Sequence, residues 1–361
     1  KLPFKNVYLT GIVRDKQGRK MSKSLGNSPD PITLMKQYGA DGVRVGMLLC
    51  SPAGNDLPFD EGLCEQGRNF SNKIWNAFRL IKGWEVTDVQ QPESAKQAIT
   101  WFENKLSKTI TEIDESYSKY RISEALMGTY RLVWDDFCSW YLEMVKPNYG
   151  SPIDSTTYAK TIEQLEKILK LLHPFMPFLT EEIWHLIDDR KEDIIVANWP
   201  KAGTVKEQLL ADFENTTEVV AGIRTIRKEQ NIANKEQLEL LVIDNQKAKT
   251  NLDAIVAKLG NLSSINTANE KPNGAFSFMV KSNEYFIPLG DNIDVAAEIE
   301  KLQKELDYTK GFLKSVEGKL GNNRFVNNAP EIVVKNEKNK MIDAKNKIEI
   351  LSTKIKDLKN D

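Results

Sequence analysis

The sequence predicts a mainly α fold with a small α+β module: a loop-bearing opening segment, an antiparallel helix bundle, a small α/β subdomain and a closing antiparallel coiled-coil hairpin. Three observations predict it. Apolar residues recur at three- and four-residue spacing from Asp60 to about Pro200. Short β-branched and aromatic runs cluster between Leu238 and Pro288. A heptad seam runs through both halves of the stretch from Asp294 to Asp361. At 361 residues the chain has room for several domains. Its net charge of −1 excludes a general polyanion binder, so any nucleic-acid contact has to come from local patches. The three cysteines, Cys50, Cys64 and Cys138, form no Cys-x-x-Cys pair, and the only histidines are His173 and His185. That argues against a structural zinc site and suits a reducing compartment. No apolar run reaches the length of a membrane span, and no signal peptide is visible.

The opening segment, 1–59, holds a loop between strand and helix. Val7-Tyr8-Leu9 and Ile12-Val13 read as strand, and Asp15 to Gly18 is turn chemistry. Ser28-Pro29-Asp30-Pro31 closes the loop, with Asp30 as cap and Pro31 at the first helical position. Between them lies Lys20-Met21-Ser22-Lys23-Ser24. From Lys1 to Asp30 there are seven Lys/Arg against two Asp. On charge alone this is a solvated basic turn. Small residues that let backbone amides approach an oxyanion, beside lysines as mobile point charges, read instead as a phosphate site. Ser51 to Asn55 is a break before the bundle.

The bundle is expected over 60–203. Phe70, Ile74, Phe78 and Ile81 mark its first helix, and a second spans roughly Glu93 to Tyr117. A third covers Ile122 to Val145, with Leu126, Tyr130, Val133, Phe137, Trp140 and Met144 inward. A fourth runs from about Ser155 to Leu172. After the corner from His173 to Phe178, a short fifth contains Trp184. Trp75, Trp134, Trp140 and Trp184 read as core rather than as base-stacking platforms, and His173 as a structural histidine.

The segment 204–293 is expected to be a helix followed by the α+β module. The helix, Leu209 to Glu229, carries Arg224, Arg227 and Lys228, either a solvated face or a phosphate-contacting stripe. Strands follow at Leu238–Ile243, Leu262–Ile265, Ala275–Val280 and Tyr285–Pro288, with a helix over Asn251–Leu259. The closing segment, 294–361, is joined through Gly290-Asp291-Asn292. Its seam is Ile299, Leu302, Leu306, Leu313, Val316 and Leu320, with polar Thr309 among them. The seam resumes at Met341, Ala344, Ile348, Leu351, Ile355 and Leu358 after the hinge from Gly321 to Val334. Each arm extends about 40 Å at about 1.5 Å per residue. Fourteen basic and twelve acidic residues make it balanced overall, with Lys335, Lys338 and Lys340 as a basic patch.

Lys20-Met21-Ser22-Lys23-Ser24, followed by Leu25-Gly26-Asn27, resembles the signature KMSKS loop of class I aminoacyl-tRNA synthetases. "DPITLMKQYGADGVRVGMLL" is similar to the helix pair that follows it there. "RNFSNKIWNA" and "HPFMPFLTEEIW" resemble the anticodon-binding bundle of the Val, Ile and Leu enzymes. "LGNNRFVNNAPEIVVKNEKNKM" resembles the hinge of the coiled-coil arm of the valyl enzymes. The resemblance implies that Lys20 and Lys23 are catalytic, and that Lys20, Met21, Ser22, Lys23 and Ser24 close on the phosphates of ATP, a substrate used with Mg2+. It implies tRNA(Val) as partner, met by the bundle and the arm; on charge, Arg224, Arg227 and Lys228 and Lys335, Lys338 and Lys340 are the candidate contacts, and the scarcity of Cys and His leads to the expectation of no protein-bound metal. It also implies attachment of valine to tRNA through valyl-adenylate, in a cytoplasmic, monomeric enzyme. The chain opens at Lys1 in what reads as the middle of a domain. It is therefore expected to be a C-terminal fragment, inactive alone, whose first nucleotide motif, valine pocket and editing domain precede Lys1. Two alternatives stay open: an isoleucyl enzyme, against which the hairpin and the scarcity of zinc ligands speak, and a non-catalytic tRNA-binding coiled-coil protein.

Overall fold

The computed structural model describes residues 3–50, 55–243, 252–272, 274–281, 283–288 and 295–321, with helical positions scattered through 333–355; of 295–302 and 305 it describes the backbone alone. The break at 51–54, Gly290-Asp291-Asn292, Lys335, the hinge over 322–332 and Leu358 lie outside the described residues. The chain folds as two compact units. One comprises Lys1–Val220 with Lys249–Gly260, the other Ala221–Ala248 with Asn261–Asp361.

In the first unit, β1 (Val13–Arg14) leads through the loop to α1 (Pro31–Tyr38) and α2 (Ala40–Leu49). β2 (Leu57–Pro58) returns to pair parallel with β1. The Asp30 side chain caps α1 by accepting from the Thr33 N–H at 2.9 Å, and Pro31 occupies its first turn. The strand expected at Val7–Leu9 does not form. Val7 and Leu9 are 69% and 78% exposed. A strand needs a ladder partner, and none among the described residues reaches this run; only Val13 and Arg14, opposite Leu57 and Pro58, find one.

α3 (Glu61–Lys82) begins the bundle, followed by β3 (Val86–Thr87), α4 (Glu93–Ser118) and α5 (Ile122–Arg131). The chain continues without a break through a π-helical segment, Leu132–Tyr141, into α6 (Leu142–Val145). β4 (Ile153–Asp154), α7 (Ser155–Leu172), α8 (Pro177–Ile187) and a 3₁₀ turn at Ile194–Val196 complete it. The expected third helix is thus helical throughout, but its centre is wound one residue wider per turn. That shifts the phase of the apolar stripe. Tyr141, four residues after Phe137, is buried, and its hydroxyl meets Thr161 Oγ1 at 3.0 Å. Trp140, expected inward, stays half-buried against the core, as do Trp75 and Trp134; Trp184 is buried. The core gathers Phe70, Trp101, Phe102, Phe137 and Phe175, and Trp101 stacks on Phe213 at 3.8 Å.

α2 lies close against α3. A Cβ on Gly46 would fall 2.7 Å from the Cys64 N, and one on Gly67 2.4 Å from the Gly42 carbonyl oxygen. Only glycine fits where two helix backbones meet so closely. From the same helix, Asp41 accepts the N–H groups of Phe178 (3.3 Å) and Leu179 (2.7 Å) at the start of α8. Arg44 donates to the carbonyls of Pro174 (3.0 Å) and Phe175 (3.1 Å). His173 is structural as expected: its Nδ1 lies 2.8 Å from Thr180 Oγ1.

α9 (Glu207–Glu229) runs from the first unit into the second. There β5 (Leu238–Ile243), β6 (Leu262–Ala268), β7 (Ala275–Val280) and β8 (Asn283–Pro288) form one sheet in the order β6-β5-β8-β7. β5 and β6 are parallel, which requires a crossover; the chain between them carries α10 (Asp253–Gly260), a member of the first unit. α11 (Val295–Leu320) forms one arm of the hairpin. Leu306 packs with Ile348, Leu351 and Ile355, and Glu317 pairs with Lys345 at 3.1 Å, so the arms are antiparallel. Thr309 is buried at its seam position.

Two outcomes follow for stability. Gly67→Ala is expected to destabilise by about 1–3 kcal/mol, because backbone must move to admit the methyl. Gly128→Ala, where a Cβ meets only Ile113 Cγ1 at 3.7 Å, is expected to gain up to about 1 kcal/mol of helix propensity. Urea unfolding of the two variants checks the contrast. Burial pushes the Asp136 carboxyl up to about 6, against the pull of Lys105 at 3.4 Å. The unfolded chain loses this proton near pH ~4, so between there and about 6 the folded state holds more protons, and stability falls as pH rises. Asp136→Asn should remove that fall, with a larger gain in urea midpoint at pH 7 than at pH 4.5.

Candidate phosphate and nucleic-acid site

The loop from Asp15 to Asn27 is built around two side chains. The Asp15 carboxylate accepts from Gln17 N (3.0 Å), Arg19 N (2.9 Å), Arg19 Nε (2.8 Å) and Asn27 Nδ2 (2.9 Å). These donors, Asn27 first among them, hold the carboxyl well below the usual range. Asn27 also donates to the Lys20 carbonyl (3.2 Å), and its Oδ1 accepts from Ser22 N at 2.9 Å. Met21 N donates to Val13 O at 2.9 Å. Residues 20, 21 and 22 are thus each fixed by a backbone group. Beyond them the chain turns: Gly26 N donates to Lys23 O (3.1 Å) and Leu25 N to Ser22 Oγ (3.3 Å). The turn closes with φ +67° at Gly26, a backbone that favours glycine. Ser22 Oγ and Ser24 Oγ lie 3.2 Å apart. Among the described residues no acceptor takes the N–H of Lys23 or Ser24.

The cations sort sharply. Arg14 pairs with Asp56, Lys16 with Asp60 at 3.4 Å, and Arg19 with Asp15 at 2.7 Å. Lys20 and Lys23 are exposed and have no carboxylate within 4.0 Å among the described residues. Lys20, Met21, Ser22, Lys23 and Ser24 therefore form one contiguous candidate stretch: two ammonium groups with no carboxylate within 4.0 Å among the described residues, two hydroxyls, and open amides at the tip. Asp15 and Asn27 were missed as its organisers. Their types read as turn formers, and their contact spans twelve positions, which no local pattern carries.

The expected stripe on α9 needs correction. Arg227 is only 5% exposed. Its guanidinium donates to the carbonyls of Ala233 (3.0 Å), Glu236 (2.9 Å) and Asn261 (3.2 Å), tying the end of α9 to the start of β5 and of β6. Each of these carbonyls also accepts from Glu236 N, Asn261 Nδ2 or Leu238 N, and a carbonyl oxygen has room for the second donor that Arg227 supplies. It is unavailable to a phosphate. Arg224 and Lys228 are exposed on the same helix. On the second arm Lys338 and Lys340 are exposed, with Lys340 Nζ 2.8 Å from Glu337 Oε1.

One donor group with metal-ligand character stands apart from the loop. Glu181, His185 and Asp193 place single donor atoms within 4.8 Å of one another. His185 Nε2 lies 3.1 Å from Glu181 and 3.2 Å from Asp193, and Glu181 also accepts from Ile194 N. Hydrogen bonds account for this arrangement as a clasp of the loop after α8. At the α4–α5 turn a cleft of about 590 Å³ is lined by Arg121, Arg131, Glu112 and Glu124, so its charge is balanced. No described helix is long and apolar enough to cross a membrane.

Comparison with known proteins bears on each part. The family profile for class I tRNA synthetases (I, L, M and V) matches residues 1–60. That for the anticodon-binding domain of tRNA ligase matches 100–242, and that for the valyl tRNA synthetase tRNA binding arm matches 294–359. The valine–tRNA ligase of Christiangramia forsetii is 59% identical over 359 residues, 99% of this chain and 41% of that protein. That of Parabacteroides distasonis is 56% identical over 98% of the chain, and that of Brucella suis biovar 1 is 35% identical over 98%. The chain spans about 41% of the length of the curated relatives it matches. These relatives carry the valine name, and the isoleucyl alternative has no counterpart among them. With 99% of its length aligned to such proteins, and profiles of the same lineage over its opening, middle and closing segments, the chain belongs to the valine–tRNA ligase family.

Proposed function

We propose that this chain supplies the pyrophosphate-facing loop and the tRNA-binding parts of an ATP-dependent valine–tRNA ligase. The observation that carries the reading is the sorting of cations in the loop: each neighbouring Arg or Lys from Arg14 to Arg19 has a carboxylate within 4.0 Å, and Lys20 and Lys23 have none that close among the described residues. In the proposed reaction the valine carboxylate attacks the α-phosphorus of ATP, taken up as its magnesium complex, and pyrophosphate leaves. Negative charge grows on the bridging and terminal oxygens. Two unpaired ammonium groups and the open tip amides meet that charge better in the transition state than in the ground state. The adenine, ribose and valine contacts are assigned to the part of the relatives' length that this chain does not span, and the chain alone is read as inactive. The enzyme is read as a monomer of the cytoplasm, where the free thiols of Cys50, Cys64 and Cys138 stay reduced.

In the full-length protein, Lys23→Ala is expected to lower valine-dependent ATP–pyrophosphate exchange about 100- to 1,000-fold in kcat, by the scale of one missing electrostatic donor, and to leave the KM for valine nearly unchanged. A normal exchange rate would overturn the role.

Partnership with tRNA is assigned to the bundle and the hairpin arm, with Arg224, Lys228, Lys338 and Lys340 as candidate phosphate contacts. In the Lys340–Glu337 pair the ammonium is half exposed and the carboxylate nearly buried, so a phosphate would compete with Glu337 for Lys340. Affinity for tRNA(Val), measured by filter binding across a salt series, should fall steeply. Lys338→Glu with Lys340→Glu should reduce the log–log slope by about 0.7–0.9 for each phosphate that is no longer neutralised. An unchanged slope would show these side chains to be merely solvated.

A further inference from the structure

We infer that Asn27, through its bridge to Asp15, is a positioning residue: it locks the base of the loop so that Lys20 acts from a fixed backbone while only the tip carrying Lys23 moves. The inference rests on the assignment of this loop to pyrophosphate.

The geometry is specific. One carboxamide satisfies three groups at once: Asp15 Oδ2 at 2.9 Å, Lys20 O at 3.2 Å and Ser22 N at 2.9 Å. The last two flank Met21, whose own N–H is held by Val13 O. Asp15 in turn has donors on both oxygens, from Gln17, Arg19 and Asn27, so the carboxylate cannot turn away without losing several bonds. Everything from Asp15 to Ser22 is therefore tied into one body with the end of β1. Past Ser22 the pattern changes. Among the described residues the tip is held by bonds within itself and to Ser22: Gly26 N to Lys23 O, Leu25 N to Ser22 Oγ, and Ser24 Oγ with Ser22 Oγ. A rigid base with a compliant tip gives the two lysines different roles. Lys20 offers preorganised charge, and Lys23 closes on the phosphates as charge develops.

No other side-chain type fits position 27. The site needs a donor toward a carboxylate and a carbonyl and an acceptor toward an amide, on a stem as short as that of Asn. Asn27→Asp keeps the acceptor, loses both donor bonds and sets a second carboxylate against Asp15. Two carboxylates at that range share a proton, so one of them titrates well above the usual range, and its O–H then restores a donor. Asn27→Ala has no such remedy.

The test is valine-dependent ATP–pyrophosphate exchange in the full-length protein, expressed as the ratio of variant to wild type at each pH. Asn27→Ala and Asn27→Asp are both expected to lower kcat about ten- to a hundredfold at pH 8, the scale of a displacement near 1 Å, with the KM for valine unchanged. The Asn27→Asp deficit should shrink as pH is lowered, and the Asn27→Ala deficit should not. Combined with Lys23→Ala, the Asn27→Ala loss should be less than additive, since a locked base has less to offer once the moving charge is gone. Wild-type kcat in both variants overturns the inference while leaving the loop's role intact, as does a deficit confined to thermal stability. Equal, pH-independent deficits also overturn it, because they mark Asn27 as packing alone. A wild-type protein without valine-dependent exchange overturns the underlying reading, and the inference with it.

Discussion

The approach of α2 to α3 sets what the rest of the first unit can do. Gly42, Gly46 and Gly67 let two helix backbones come within contact distance, and no side chain separates them. Because α2 lies that close, its next polar residues reach across the bundle. Asp41 is buried, and burial pushes its carboxyl up; the two N–H groups at the start of α8 pull it down, and they supply the bonds and the positive helix end that a buried carboxylate needs. Arg44, one turn on, holds the corner before α8. The loop is joined to this assembly through Asp30, the cap of α1, so the same contact fixes the frame from which Lys20 and Lys23 project. A methyl at Gly67 would disturb packing, a buried charge and loop orientation together.

Much of this was legible in the residue order. The helices over Glu93–Ser118, Ser155–Leu172 and Glu207–Glu229 follow the apolar period, because packing of one face decides helix formation and period records it. The strands of the sheet follow their β-branched runs to within a few residues. The failures have physical causes. Val7–Leu9 has the composition of a strand, but a strand exists only by pairing, and composition carries no information about a partner. The π-helical centre of the third helix is invisible because it is a change of pitch: the same residues fit an α-stripe almost as well. Arg227 was legible as a cation on a helix and not as a buried one, since the carbonyls it serves belong to Ala233, Glu236 and Asn261, on two other segments.

The candidate site shows the same division. The five residues from Lys20 to Ser24 were readable because local order defines them. The scaffold beneath them was not: Asp15, Asn27 and Met21 are held by contacts with Arg19, Ser22 and Val13 that have no fixed spacing. Sequence named the groups proposed to meet the phosphates, and structure named those that hold them in place.

The sorting of charge in the loop fits the role proposed for each cation. Arg14 and Arg19 are spent on Asp56 and Asp15, and their guanidinium forks suit fixed, planar carboxylate partners. Had Lys20 or Lys23 been paired in this way, meeting a phosphate would first require breaking the pair, and each of its bonds would stabilise the resting state as much as the reacting one. Left in solvent, an ammonium gains little at rest, since an exposed interaction is worth about 0–1 kcal/mol. Once a closing site removes water, the same charge faces growing negative charge at lower dielectric, where its interaction is several-fold stronger. On the proposed reading, two lysines without a close carboxylate among paired neighbours concentrate their electrostatic contribution in the step where charge moves, which is the condition for it to appear as rate rather than as ground-state binding.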